Sequence, residues 1–192
     1  MAKLYFRYGA VGSAKTLNLL AVAHNYEQQG KRAFLIKPKI DTRFGKTVVK
    51  SRAGLEREAD LLASDDTELD CPQLEDVSCV LVDEAQFLSP AFVDQLRRLA
   101  VVCEVPVICY GLRTDFRTGL FPGAQRLFEL ADIIEPVKTT CAYCERAASF
   151  NLKLVDGKPT VAGPTLDLGT EEKYLPACAG CYRAKLAGTR PA

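Results

Sequence analysis

Short apolar runs alternate with longer amphipathic stretches over the first two-thirds of the chain. Leu4 to Tyr8, Ala33 to Lys37, Cys79 to Asp83, Val105 to Tyr110 and Ile133 to Val137 are nearly continuous in apolar character, as strands buried on both faces of a parallel sheet are. Between them, Lys15 to Gln29 carries a wide apolar face and stops at Gly30. A second helix is predicted from Ser89-Pro90, with serine as N-cap and proline at the first helical position, to about Val102; a third spans about Gly123 to Leu130. This alternation predicts an α/β fold with a mostly parallel sheet flanked by helices. After Val137 the periodicity changes to a segment with paired cysteines and a Gly/Pro-containing polar stretch, Val155 to Gly169. The expected division is residues 1–137, a nucleotide-binding α/β domain, and residues 138–192, a small second domain.

Composition narrows the function classes. A length of 192 residues suits one domain with a small appendage, and a 48% apolar content suits a packed core. No apolar run approaches the ~20 residues that cross a bilayer, and Met1 to Tyr8 is too short and too charged for a signal peptide. A net charge of +1, with no interleaving of aromatic and basic residues, argues against a nucleic-acid partner. A soluble, cytoplasmic protein with no membrane partner is expected. Of eight cysteines, Cys71, Cys79, Cys103 and Cys109 are scattered, whereas Cys141, Cys144, Cys178 and Cys181 form two C-x-x-C pairs. With no secretory leader in view, metal ligation is a stronger reading of the pairs than a disulfide framework.

Gly9-Ala10-Val11-Gly12-Ser13-Ala14-Lys15-Thr16 follows the first predicted strand and opens the first helix, the context of a phosphate-binding loop. Backbone N–H groups and the helix N-terminus would cradle phosphate oxygens, Lys15 would reach the β- and γ-phosphates, and the Thr16 hydroxyl would ligate Mg²⁺. The usual glycine before the lysine is replaced by Ala14. A Cβ there crowds the loop if the residue needs positive φ and costs little if it does not.

The strand Cys79-Val80-Leu81-Val82 ends in Asp83-Glu84. Mg²⁺ beside a triphosphate is held by one or two carboxylates, which suits Asp83. Both acids can border one crevice at the carboxyl end of a strand, leaving Glu84 as base or water-positioner. The four paired cysteines can present a tetrahedral thiolate shell to Zn²⁺; a closed shell of that kind is structural. The sole histidine, His24, lies inside the first helix and away from every motif.

Taken together, Gly9 to Thr16, Asp41-Thr42-Arg43, Val82 to Phe87, Tyr110-Gly111-Leu112-Arg113-Thr114-Asp115-Phe116 and the cysteine pairs with Lys173-Tyr174 between them resemble the type II, zinc-containing thymidine kinases. The resemblance implies a RecA-like P-loop NTPase fold with a C-terminal zinc-ribbon domain, and transfer of the ATP γ-phosphoryl group to the 5′-hydroxyl of deoxythymidine. It makes Glu84 the general base and Arg43 the counter-charge to the transferring group, places Asp41 near the metal, and adds Gln86 to the ATP-binding set. Leu112 and Phe116 would line the thymine pocket. A lasso loop between Phe150 and Tyr174 would close over the base, with Asp167, Leu168, Gly169 and Tyr174 nearest the nucleoside. A homotetramer and feedback inhibition by the triphosphate end product are further implications. Kinases of other deoxynucleosides, a zinc-ribbon ATPase acting on nucleic acid or a protein, and a non-catalytic relative remain as alternatives.

Overall fold

A computed structural model describes residues 1–165 and 174–188. In chain order its elements are β1 (Leu4–Tyr8), α1 (Lys15–Gln28), β2 (Arg32–Pro38), β3 (Val48–Lys50), β4 (Glu56–Glu58), β5 (Leu61–Ala63), β6 (Val77–Val82), α2 (Pro90–Val102), β7 (Val107–Gly111), α3 (Pro122–Leu130), β8 (Ile133–Pro136), β9 (Phe150–Val155), β10 (Lys158–Thr160), β11 (Tyr174–Ala177) and α4 (Ala179–Leu186). The main sheet runs β5-β2-β6-β7-β1-β8, and every neighbouring pair in it is parallel. All five expected strands are present, and the three expected helices begin and end within a residue or so of their predicted bounds.

Side-chain alternation along the strands builds two cores. Val80 and Val82 of β6 face Phe92, Leu96 and Leu127 of α2 and α3, while Cys79 and Leu81 turn to Leu19, Leu20 and Ala23 of α1. The result is a sheet covered on both faces, as its near-continuous apolar strands require. Ser89 accepts a hydrogen bond from the Phe92 N–H at 3.3 Å and caps α2, with Pro90 in the first turn. Such a cap is worth about 1 kcal/mol.

Beyond β8 the chain forms a three-stranded antiparallel sheet, β10-β9-β11, backed by α4. Part of the stretch expected as lasso is thus a hairpin, turned by Asp156 (φ 50°) and Gly157 (φ 73°). Two successive positive-φ residues are what a tight hairpin needs, and Asp-Gly supplies them cheaply. The core here is small, centred on Leu152, Ala177, Tyr182 and the paired cysteines.

Cys71 and Cys103, which the sequence shows only as scattered cysteines, are joined by a disulfide. The pairing depends on tertiary contact. Gln95 of α2 accepts from the Leu69 N–H and donates to the Thr67 carbonyl, bringing the end of α2 beside the turn at Cys71–Leu74.

Candidate active site

The carboxyl ends of β1, β2, β6 and β7 open into one cleft of about 210 Å³. Its floor is the loop Val11 to Thr16, and its walls include Asp41, Arg43, Asp83, Glu84 and Leu112. The phosphate loop leaves β1 at Gly9, where an added Cβ would lie 2.4 Å from Ser13 Oγ and 2.6 Å from the Val137 carbonyl, so only glycine fits. Gly12 and Ala14 both take left-handed conformations, at φ 75° and φ 58°. Ala14 therefore occupies the conformation in which a Cβ is unfavourable, the costlier of the two cases the sequence left open. Helix α1 follows with no side-chain cap and no acid in its first turn, leaving its N-terminal N–H groups directed at the cleft. Lys15 is buried and donates to the Ala10 carbonyl at 2.8 Å and to Ser13 Oγ at 3.1 Å; burial lowers its pKa.

At the end of β6, Asp83 continues the ladder by donating its N–H to the Ile36 carbonyl at 3.0 Å. Glu84 then turns to φ 48°. This left-handed residue is why two adjacent carboxylates, which alternate on a regular strand, wall the same cleft. Asp83 accepts from Thr16 Oγ1 at 3.1 Å. Burial, and next the charge of Glu84, push the Asp83 carboxyl up to about 7. Burial alone would raise Glu84 too, but Arg43, Lys15 and Gln86 hold it down at about 2. Arg43 Nη2 lies 2.6 Å from Glu84 Oε1, and Arg43 Nε donates to Asp41 Oδ1 at 2.8 Å.

The four paired cysteines lie with their sulfurs within 4.8 Å of one another. Cys144 Sγ is 3.7 Å from Cys178 Sγ and 3.6 Å from Cys181 Sγ. A tetrahedral Zn–S₄ shell with ~2.3 Å bonds demands S···S spacings of about 3.8 Å, so the set fits zinc. Burial opposes the Cys141 thiolate, yet N–H groups of the knuckles bring it down to about 6, whereas burial and the other sulfurs push Cys181 up to about 12. Four sulfurs packed this closely could hold a metal ion.

A family model described as thymidine kinase matches residues 2–182, nearly the whole chain. The chain belongs to the thymidine kinase family. Among similar proteins are the thymidine kinases of Streptococcus pyogenes serotype M3 (43% identical over 184 residues, 95% of this chain and 97% of that one) and Streptococcus gordonii (43% over 187 residues, 95% and 96%). The thymidine kinase of Lactococcus lactis is 42% identical over 184 residues, covering 95% and 97%.

Within this family member, not every expected residue lines the cleft. Gln86 is buried behind it, donating to Glu84 Oε2 at 2.5 Å and accepting from the Leu112 N–H at 2.9 Å. Gly111 makes room for that amide, since a Cβ there would sit 2.7 Å from Gln86 Oε1. Phe116 is 2% exposed and off the cleft wall; its ring lies 6.3 Å from Tyr174 and under the Lys153 ammonium at 4.7 Å. Asp167, Leu168 and Gly169 lie outside the described residues.

Two basic residues were missed by the sequence reading. Arg52, beyond β3, lines the cleft across from Gly12, its guanidinium 3.7 Å from where a Gly12 Cβ would stand. Lys37, at the end of β2, is 1% exposed and donates to the Val48 carbonyl at 2.9 Å and the Gly45 carbonyl at 3.3 Å, with Asp41 Oδ2 at 3.6 Å. Nothing in Lys50-Ser51-Arg52 distinguishes it from a solvated loop. The apolar run around Lys37 was a usable signal, because a lysine inside a two-face-buried strand needs partners.

Proposed function

We propose that this chain transfers the γ-phosphoryl group of ATP to the 5′-hydroxyl of deoxythymidine, giving dTMP for pyrimidine deoxynucleotide salvage. The observation that carries the reading is the single cleft shared by Lys15, Thr16, Arg43, Asp83, Glu84 and Leu112. Phosphate cradle, metal-binding oxygens, a counter-cation, a carboxylate base and one wall of an acceptor pocket all meet there. Family membership supplies the acceptor.

The loop Gly9 to Thr16 binds the triphosphate through its N–H groups, and Lys15 exchanges its carbonyl contact at Ala10 for phosphate oxygens. Thr16 Oγ1 and the Asp83 carboxylate would hold Mg²⁺, whose bound charge offsets that of the phosphates. Hard oxygen donors and a carboxylate whose ionised form is disfavoured by burial and by the Glu84 charge suit that ion. Arg43 stabilises charge on the transferring group, the dominant task in phosphoryl transfer. Phosphoryl oxygens compete with Glu84 for the guanidinium. As that ion pair weakens, Glu84 becomes a stronger base and takes the 5′-hydroxyl proton. Gln86 keeps Glu84 in place and also fixes the Leu112 backbone beside the nucleoside. Phe116 and Tyr174 would contribute to the nucleoside site, and the family resemblance adds Asp167, Leu168 and Gly169 to it. Cys141, Cys144, Cys178 and Cys181 hold a structural zinc that stabilises a module too small to rest on its own core. The working form is a cytoplasmic homotetramer, a reading carried by the family resemblance.

A coupled ATP-consumption assay tests the central claim. Consumption that appears only with thymidine, with dTMP as product, supports it; ATP hydrolysis stimulated by polynucleotide and indifferent to nucleosides would replace it with an ATPase.

A further inference from the structure

Asn151 of β9 is 3% exposed and sits where three distant parts of the chain converge. Its Oδ1 accepts from the Val11 N–H of the phosphate loop at 2.8 Å, and its Nδ2 donates to the Thr114 carbonyl at 2.8 Å. These partners fix the amide's orientation, because one is a pure donor and the other a pure acceptor. On the opposite side, Asn151 stands in register with Pro176 of β11, whose carbonyl accepts from the Ala142 N–H at 2.8 Å, one residue past Cys141. Cysteine knuckle, antiparallel ladder, Asn151 and phosphate loop thus form one continuous path.

We infer that Asn151 is a positioning residue through which the cysteine-bearing module sets the shape, and hence the nucleotide affinity, of the phosphate loop. The inference rests on the phosphate-loop reading above but not on thymidine as acceptor. A phosphate cradle binds well only if its N–H groups already point inward. The Val11 peptide is pinned from outside the loop by Asn151, and the neighbouring Gly12 carbonyl makes a long contact, 3.5 Å from Thr139 Oγ1. Removing Asn151 leaves the partly buried Val11 donor and the buried Thr114 acceptor without this partner, and the Val11 peptide turns to find water. The same amide anchors the Tyr110-to-Phe116 segment, so phosphate donor and nucleoside sites share one strut.

The test is a double-mutant cycle with Asn151→Leu, which keeps the number and branching of side-chain heavy atoms but removes both hydrogen bonds, and Cys144→Ser, which disrupts the knuckle. Dissociation constants for a non-hydrolysable ATP analogue are measured without thymidine, so a wrong acceptor assignment does not disturb the readout. The expected result is about tenfold weaker binding in each single variant and no further loss in the double, because both break one path. Additive losses, or N151L affinity equal to that of the unsubstituted protein, would overturn the inference; so would an N151L effect confined to the KM for thymidine. Hydrogen exchange of the unsubstituted protein supplies an arm independent of N151L folding. The Val11 amide must be protected there and lose protection in C144S; a fast-exchanging Val11 amide in the unsubstituted protein contradicts the proposal.

Discussion

Arg43 and Glu84 form a 2.6 Å ion pair across the cleft, between the loop after β2 and the end of β6. Each limits the other: the guanidinium holds the Glu84 carboxyl near 2, against an ordinary 4.5, and the carboxylate occupies an N–H that phosphoryl oxygens would use. Basicity at Glu84 is therefore tied to where Arg43 points.

Replacing Glu84 by Gln should leave ATP affinity within a few-fold of its starting value and lower kcat by about 10²- to 10⁴-fold, the usual loss for a general base. Rapid-quench measurement of dTMP formation, beside calorimetric ATP titration, separates the two effects. Undiminished transfer would remove Glu84 from the base role. Arg43→Met should lower kcat and also release Glu84 to a higher pKa, because the largest stabiliser of its ionised form is gone. The acid limb of kcat against pH then moves to higher pH. A limb that stays in place would disconnect the pair.

Ala14 offers a stability test. At φ 58° it carries a conformational penalty that glycine avoids, of about 1 kcal/mol. Ala14→Gly should raise Tm by about 2–4 °C and leave the phosphate loop competent. A fall in Tm would mean that the alanine methyl makes contacts worth more than the strain.

Much of this fold was legible because its strands are buried on both faces. Runs such as Cys79 to Val82 leave little room for another reading, and Ser89-Pro90 marks a helix start by its own chemistry. What escaped is short or non-local. Strands β3, β4 and β5 have three residues each, too few to show a period, and they lie in a polar stretch. The Asp156-Gly157 turn was readable by its residue types but was subsumed into an expected loop. At the site, the phosphate loop and the acids announced themselves by spacing. Lys37, Arg52 and Asn151 did not, since each matters through partners 4 to 140 residues away or through a cleft that exists only once the chain has folded.

Lys37 is the buried post behind Arg43. Its ammonium meets two carbonyls and Asp41, and Asp41 in turn holds Arg43 Nε. Lys37→Met removes a fully buried charge from its partner, a change that commonly costs 3–5 kcal/mol. Reduced Tm is expected, with kcat down about tenfold at saturating ATP. Asp41→Asn in the same protein should add less than its separate effect, because the two residues act on Arg43 in series. Full additivity in kcat would separate Lys37 from Arg43 positioning.

Asp83, pushed up to about 7, makes Mg²⁺ binding pH-dependent. Its proton competes with the ion, and the ionised fraction rises about tenfold between pH 6 and pH 8 for a group titrating at 7. Apparent Mg²⁺ affinity in the presence of ATP should rise by about that factor over the interval, and Asp83→Asn should flatten the dependence. An equal slope in the variant would assign the titration elsewhere.

The Cys71–Cys103 bridge lies at the wrong end of the sheet to touch the chemistry. Cys71 precedes β6 and Cys103 precedes β7, so both sit near the amino ends of strands whose carboxyl ends form the cleft. Closing a loop across 32 residues stabilises by about 3–4 kcal/mol on the chain-entropy account. Reduction, or Cys103→Ser, should therefore lower Tm by about 10 °C while kcat and both KM values hold within about twofold. Thiol titration before and after denaturation reports whether the bridge is formed in protein taken directly from cells, and a reducing compartment predicts that it is open. A large loss of kcat on reduction, with Tm unchanged, would mean that the amino-terminal end of the sheet communicates with the cleft in a way that neither the strand order nor the hydrogen bonds described above provide.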